Sequence, residues 1–273
     1  MIDPTRHAII LIGHGSLRSA SGASMIRIAA RLRERGVAPV VEAAFLNYSR
    51  PTLAETVAKV AALRVTTITI QPYFLIAGVY VQNDLRALVQ TVSADHPALT
   101  FRFAPVLGEH PALTGLAQRR VAEALAQFDG LAPAPTLLLM AHGTPLPAAN
   151  APLYPLADQL ASNLGLAGAS VAYLDCNTPT IPDALDALVA VGVQTIIALP
   201  YFLHLGRHVA EDLPELIAVA QAKHPTVRLH LAHHLDYDLC LVEAAEGLAP
   251  RATLLAQPAD LLPRARHTLA VPV

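Results

Sequence analysis

The stretch "LIGHGSL" at residues 11–17 returns as "LMAHGTP" at 139–145, and "AFLNYSRPTL" at 44–53 returns as "AYLDCNTPTI" at 172–181. "TITIQPYFLIAGVYVQNDL" at 67–85 likewise returns as "TIIALPYFLHLGRHVAEDL" at 195–213. His14 and His142, Pro72 and Pro200, and Tyr80 and His208 are all 128 positions apart, and "DHP" at 95–97 and "KHP" at 223–225 keep that offset. Blocks held in one register identify a tandem duplication, so both halves must suit the same fold. The segment "DGLAPAP", residues 129–135, breaks any helix and reads as the linker.

Each half alternates short apolar β-rich runs with longer helical ones. Strands are predicted near 8–13, 39–46, 66–72 and 100–106, with helices near 21–35, 51–63, 80–94 and 111–127. The second half repeats the strands near 136–141, 169–175, 194–200 and 227–233. This alternation predicts parallel βαβ units with right-handed crossovers. The expected fold is therefore two doubly wound α/β domains, each with a four-stranded parallel sheet, and a cleft between them. Their expected extents are 1–128 and 136–248, with an extension at 249–273 that lacks a partner in the repeat and is expected to pack across the domains.

Composition narrows the class. Hydrophobic residues make up 53% and charged residues 15%, with a mean hydropathy of +0.43. The uncharged runs Gly130–Ala157 and Ala187–Gly206 are broken by prolines or by Gln194, Pro200 and His204, so buried parallel strands explain them better than membrane spans. "MIDPTRHAII" lacks a basic region followed by a long apolar one, and a cytoplasmic location is expected. Cys176 and Cys240 show no CxxC spacing and read as ordinary thiols. A formal charge of −2 offers no basic field for nucleic acid or anionic lipid. A monomer is expected.

In open parallel sheets, ligands bind beyond the carboxyl ends of the strands. The repeated motifs fall there: Gly13-His14-Gly15 and Ala141-His142-Gly143 after the first strands, Asn47 and Asp175 after the second, the PYFL loops after the third. A lone His beside Gly reads as a turn residue, and the pair shifts the reading towards a site. Asp175 reads equally as a site residue or as a structural one, an Asx turn or a helix N-cap. His208 and Asp212 are four apart at a predicted helix start and share a face. Together His142, Asp175 and His208 would make a site for Fe²⁺, Co²⁺, Ni²⁺ or Zn²⁺. His204 is a further ligand or pocket lining, and His233 and His234 are weaker candidates.

The "GHGS" at 13–16, the "AFL…P" at 44–51 and the "PYFL…G.H…DLP" pattern complete at 200–214 together resemble the class II tetrapyrrole chelatases, in particular the long, two-domain CbiX-type sirohydrochlorin chelatases. The resemblance covers nearly the whole chain to about residue 248. It implies insertion of a divalent metal, Fe²⁺ ahead of Co²⁺, into sirohydrochlorin without ATP, with no cofactor beyond that metal substrate. The family's functional histidines match His14 and Tyr80 in the first half, and His142 and His208 in the second. Its acidic position matches Asn47 or Asp175. The first half departs twice and the second keeps all three, which assigns metal handling and proton acceptance to His142 and His208, supported by Asp175. Catalysis at His14 is the rival. Tyr80 offers an aromatic face and a hydroxyl to the macrocycle, and Arg18, Arg50 and Arg207, just after strand ends, are candidates for its carboxylates.

Two other classes remain. "GHG" also occurs in histidine phosphatases, but those need Arg directly before the His, where Gly13 and Ala141 stand. A non-catalytic metal or tetrapyrrole carrier would bind sirohydrochlorin without metallating it.

Overall fold

The computed structural model describes residues 4–15, 20–127 and 133–255. Its first lobe contains β1 (His7–Gly13), α1 (Ala20–Glu34), β2 (Val40–Phe45), α2 (Leu53–Ala61), β3 (Thr67–Pro72), α3 (Arg86–Asp95) and β4 (Thr100–Phe103), and α4 (Pro111–Leu125) follows. The second half contains β5 (Thr136–Ala141), α5 (Pro147–Asn150), α6 (Leu153–Asn163), β6 (Gly168–Tyr173), α7 (Ile181–Ala190), β7 (Thr195–Pro200), α8 (Leu213–Lys223), β8 (Arg228–Leu231) and α9 (Leu239–Leu248), then a short β9 (Thr253–Leu254). The sheets run β2-β1-β3-β4-β9 and β6-β5-β7-β8, parallel throughout except at β9.

The central strands read as unbroken apolar runs because helices cover both faces. Every residue of β3, β5 and β7 is buried, as are Ala8 to Gly13 of β1. The flanking helices start where the sequence supplies caps. Thr52 caps α2 in a capping box with Glu55, and Thr180 accepts from the Asp183 amide at the start of α7. No helix among the described residues is long and apolar enough to cross a membrane.

The structure corrects the expectation of two equal four-stranded sheets. The first sheet has five strands, because the chain returns after α9 and lays β9 antiparallel on β4, pairing Arg102 with Leu254 and Phe103 with Thr253. Leu255 follows into the first-lobe core, and the Arg102 guanidinium donates to the Ala252 carbonyl. Without β9, the outer edge of β4 would present unpaired backbone groups.

The last helix of each half serves the other. α4 packs against β7 and α6, whereas α9 packs against α1 and α4. One core cluster accordingly joins Ile9 and Leu11 to Leu137, Leu139, Leu199 and Leu248. Polar contacts pin the seam: Arg119 to Asp238 at 2.9 Å, Arg35 to Glu246 at 2.7 Å, and the Arg27 guanidinium 3.6 Å over the Tyr237 ring. Gly247 lets the two elements approach closely here, since a Cβ would stand 2.5 Å from Nε2 of His110, the cap of α4, and that ring would have to shift.

Candidate active site

The His-Gly motifs place two loops in contact at each sheet's carboxyl edge. Gly15 and Gly143 have φ of +83° and +91°, and a Cβ there would meet the Asn47 carbonyl at 1.8 Å and the Asp175 carbonyl at 2.1 Å. Only glycine permits this crossing. The amides of Asn47 and Asp175 in turn donate to the carbonyls of His14 and His142, each at 2.9 Å. The backbone thus fixes both histidines by the same device.

Across this edge the chain enters α3 and α8 through π-helical turns, Tyr80–Leu85 and His208–Asp212. Such turns recur at functional positions because they widen the helix and re-aim a side chain. The first turn is seated against the opposite lobe. The Val79 amide donates to Oγ1 of Thr144 at 3.4 Å, and a Cβ on Gly78 would lie 2.9 Å from that oxygen.

The structure brings His142 and His208 together, with ring centroids 5.1 Å apart and planes at 77°. Nδ1 of His208 bonds Oδ2 of Asp212 at 2.6 Å, which turns Nε2 away from the carboxylate. Nδ1 of His142 lies 3.4 Å from the Gly143 carbonyl, and Nδ1 of His14 lies 3.1 Å from that of Gly15. In that tautomer both Nε2 atoms keep their lone pairs. Burial, then the neighbouring His208 and His14, push the His142 imidazole below its ordinary value, partly opposed by the Gly143 contact and Asp175. His142 is therefore a neutral donor near pH 7.

Asp175 does not join the pair as a third donor. Its Oδ1 accepts from the Cys176 amide at 2.7 Å, closing a turn in which Cys176 has φ of +63°. The expected His142–Asp175–His208 set is thus not closed, and among the described residues no group of three or more His, Cys, Asp or Glu side chains is placed to hold an ion. The carboxylate that supports an imidazole directly is Asp212, whose four-residue spacing from His208 was the signal in the sequence.

In the first lobe, Tyr80 stands edge-on to His14 at 4.6 Å, and Tyr48 is tilted 36° to it at 5.9 Å. Tyr80 is 48% exposed and Tyr48 is 68% exposed. Sequence reasoning missed Tyr48, although it occupies the left-handed position, φ +58°, that Cys176 fills in the second half. His204 is held deeper, its Nδ1 buried without a partner and its imidazole lowered by burial and by His14. Arg50 is paired with Glu55, and Arg207 lies 3.6 Å from Glu211 and 3.7 Å from Asp212. Arg18 lies outside the described residues. His233 and His234 stack at 4.6 Å and line a separate cavity of about 490 Å³.

The fold and this edge have counterparts among known proteins. The chain is 20% identical over 230 residues to the sirohydrochlorin cobaltochelatase of Priestia megaterium, covering 84% of this chain and 74% of that protein. It is 22% identical over 235 residues to the sirohydrochlorin ferrochelatase of the same organism, covering 84% of each. The solved structure of SirB from Bacillus subtilis with Fe³⁺ matches with a TM-score of 0.78 at 16% identity, over 90% of this chain and 94% of that one. The CbiX family model matches twice, over residues 8–124 and 136–250. Two copies in tandem account for the repeat, and the chain belongs to the CbiX family.

Proposed function

We propose that the protein is a sirohydrochlorin chelatase that inserts a divalent metal ion, Fe²⁺ ahead of Co²⁺, without ATP. The observation that carries this reading is the His142–His208 pair, with His208 braced by Asp212, at the cleft edge of a CbiX-family fold. Relatives named for cobalt and for iron match at 20% and 22% identity and do not separate the two ions. The order rests on the resemblance to long, two-domain members, which serve siroheme formation as well as cobalamin formation.

Metallation exchanges two pyrrole protons for one doubly charged ion, so net charge is conserved and bases close to the macrocycle suffice. Nε2 of His142 and of His208 would hold the ion on the second-lobe side. Two neutral imidazoles bind it with moderate affinity and can release it to the four ring nitrogens. As the ion leaves, the same imidazoles become free to accept the displaced protons, with His14 within reach from the other lobe. Tyr48 and Tyr80 would present aromatic surface to the macrocycle. Asp212 keeps the His208 tautomer and orientation through the exchange.

The test is an anaerobic absorbance assay with purified protein, sirohydrochlorin, and Fe²⁺, Co²⁺ or Ni²⁺ in parallel. Turnover is expected, with a loss of about 100-fold or more in a His142→Ala, His208→Ala variant. Tight macrocycle binding without metallation would make the protein a carrier. If His14→Ala alone abolishes insertion and the double variant does not, the first-lobe histidine is the working one.

A further inference from the structure

We propose that a cavity of about 510 Å³ beside His142, whose walls include Asn150, Tyr154, Tyr173, Cys176, Asn177 and Thr178, receives a carboxylate side chain of the tetrapyrrole and so fixes the edge of the ring. The inference rests on the chelatase reading above and adds a substrate subsite to it.

The cavity opens where the site needs an anchor. The loop after β6 forms its wall, and β6 borders β5 on the side away from β7. That loop is therefore set one strand spacing, about 4.8 Å, outward from the strand that carries His142 and away from His208. The Asp175 amide donates to the His142 carbonyl at 2.9 Å, and the Thr144 amide donates to Oδ1 of Asn177 at 2.8 Å, so the wall and the His142 loop form one unit. The arginines expected to meet carboxylates are engaged elsewhere, Arg50 with Glu55, and Arg207 beside Glu211 and Asp212.

Hydrogen bonding leaves donors facing this space. Tyr173 is 1% exposed, and its hydroxyl meets that of Tyr154 at 2.9 Å. A buried hydroxyl must donate its hydrogen to that oxygen, which leaves the hydrogen of the half-exposed Tyr154 for a ligand. Asn177 is oriented by the same logic. Its Oδ1 accepts from the Thr144 amide and, at 2.9 Å, from Nδ2 of Asn150, so its other end is Nδ2, a donor with no partner among the described residues. Thr178 adds an exposed hydroxyl. Oδ1 of Asn150 also lacks a partner, but it is buried. The neighbouring Asp175 carboxylate accepts from the Cys176 amide, and no carboxylate is among the described residues that line the cavity. Donors without a competing anion suit an ionised carboxyl group, because hydrogen bonds to a charged acceptor are the stronger kind.

The repeat supplies an internal control. Ala141 pairs with Tyr173 as Gly13 pairs with Phe45, and the buried Leu153, Ala157 and Leu160 match Met25, Ala29 and Leu32. In this register Tyr173, Tyr154 and Asn150 replace Phe45, Ile26 and Gly22. A Cβ on Gly22 would meet the Phe45 ring at 3.0 Å, so the first copy packs an apolar ring where the second holds polar groups. The shared fold is satisfied by Phe and Ile at these places, and packing does not call for the paired hydroxyls.

Metal-free sirohydrochlorin is titrated into the full chain by absorbance, and its KM is measured in metallation assays. Asn177→Asp keeps the acceptor for the Thr144 amide and exchanges the free donor for an oxygen. It is expected to weaken macrocycle binding about tenfold or more, and Tyr154→Phe about threefold to tenfold, each raising the KM for sirohydrochlorin more than it lowers kcat or alters the KM for the metal. Thr178→Arg installs the residue that the first copy carries and is expected to tighten binding about threefold, because it adds a cation where a carboxylate sits. Thermal melts confirm folding. Unchanged macrocycle affinity and KM in folded Asn177→Asp and Tyr154→Phe, or a loss of kcat alone, would overturn the proposal and leave the chelatase reading intact. Weaker binding in both Asn177→Asp and Thr178→Arg would show an effect of shape rather than charge and would also overturn it. Opposite shifts from those two variants in a protein that binds sirohydrochlorin but never metallates it would uphold the subsite and remove the chelatase reading.

Discussion

Asp212 and His208 illustrate how one hydrogen bond decides what an imidazole presents. Replacing Asp212 with Asn lets the amide donate to Nδ1, and the proton is then driven to Nε2, where an ion would have to bind. Turnover is expected to fall about 10–100-fold, with the KM for the metal raised and the melting temperature nearly unchanged. His234 makes a second prediction. Burial, followed by His233, pushes it down to about 4 from 6.5, so the unfolded chain binds its proton first on acidification. Its contribution to stability is complete above pH 6.5 and is lost as pH falls towards 4, by roughly 3 kcal/mol at the acid end. Denaturant titrations across that range are expected to show this slope in wild type and a shallower one in His234→Val. The site histidines were legible in the sequence because they sit in copied motifs. The role of Asp175 was not, since whether its carboxylate faces a ligand or its neighbour's amide depends on the left-handed turn at Cys176.

At the scale of elements, strand and helix positions followed closely from apolar runs and spacing. β1, β3, β5 and β7 fall within a residue of expectation because buried parallel strands leave an unmistakable apolar signature. The π-helical turns did not announce themselves, since a single inserted residue leaves the helical pattern almost unaltered. β9 was also missed. Two paired residues are too short to show alternation, and only the open edge of β4 makes them a strand. Leu255 is the anchor of that segment, 8% exposed and packed with the first-lobe core. Leu255→Ala is expected to cost about 2–4 kcal/mol in chemical denaturation, with any loss of activity following the loss of folded protein.

For the whole molecule, the crossed helices matter most. Because α4 rests on β7 and α6, a chain ending at residue 127 would expose the apolar face carried by Leu113, Leu116, Ala117 and Val121. Expressed alone, that half is expected to sediment as a dimer or as aggregate, and never as a folded monomer. The duplication itself was plain in the sequence. The exchange of helices was not, since sequence order places α4 in the first half and only packing shows whom it serves.

The substitution of Tyr80 for a histidine at the place of His208 has one more consequence. A cleft built from two identical halves would receive a flat macrocycle equally well either way up. With His142 and His208 on one wall, and His14 beside Tyr48 and Tyr80 on the other, the two walls would offer such a ring different chemistry, and under the proposed function its two faces would not be equivalent. Under that reading, delivery of the ion would have a direction, and the protein would distinguish top from bottom in its substrate.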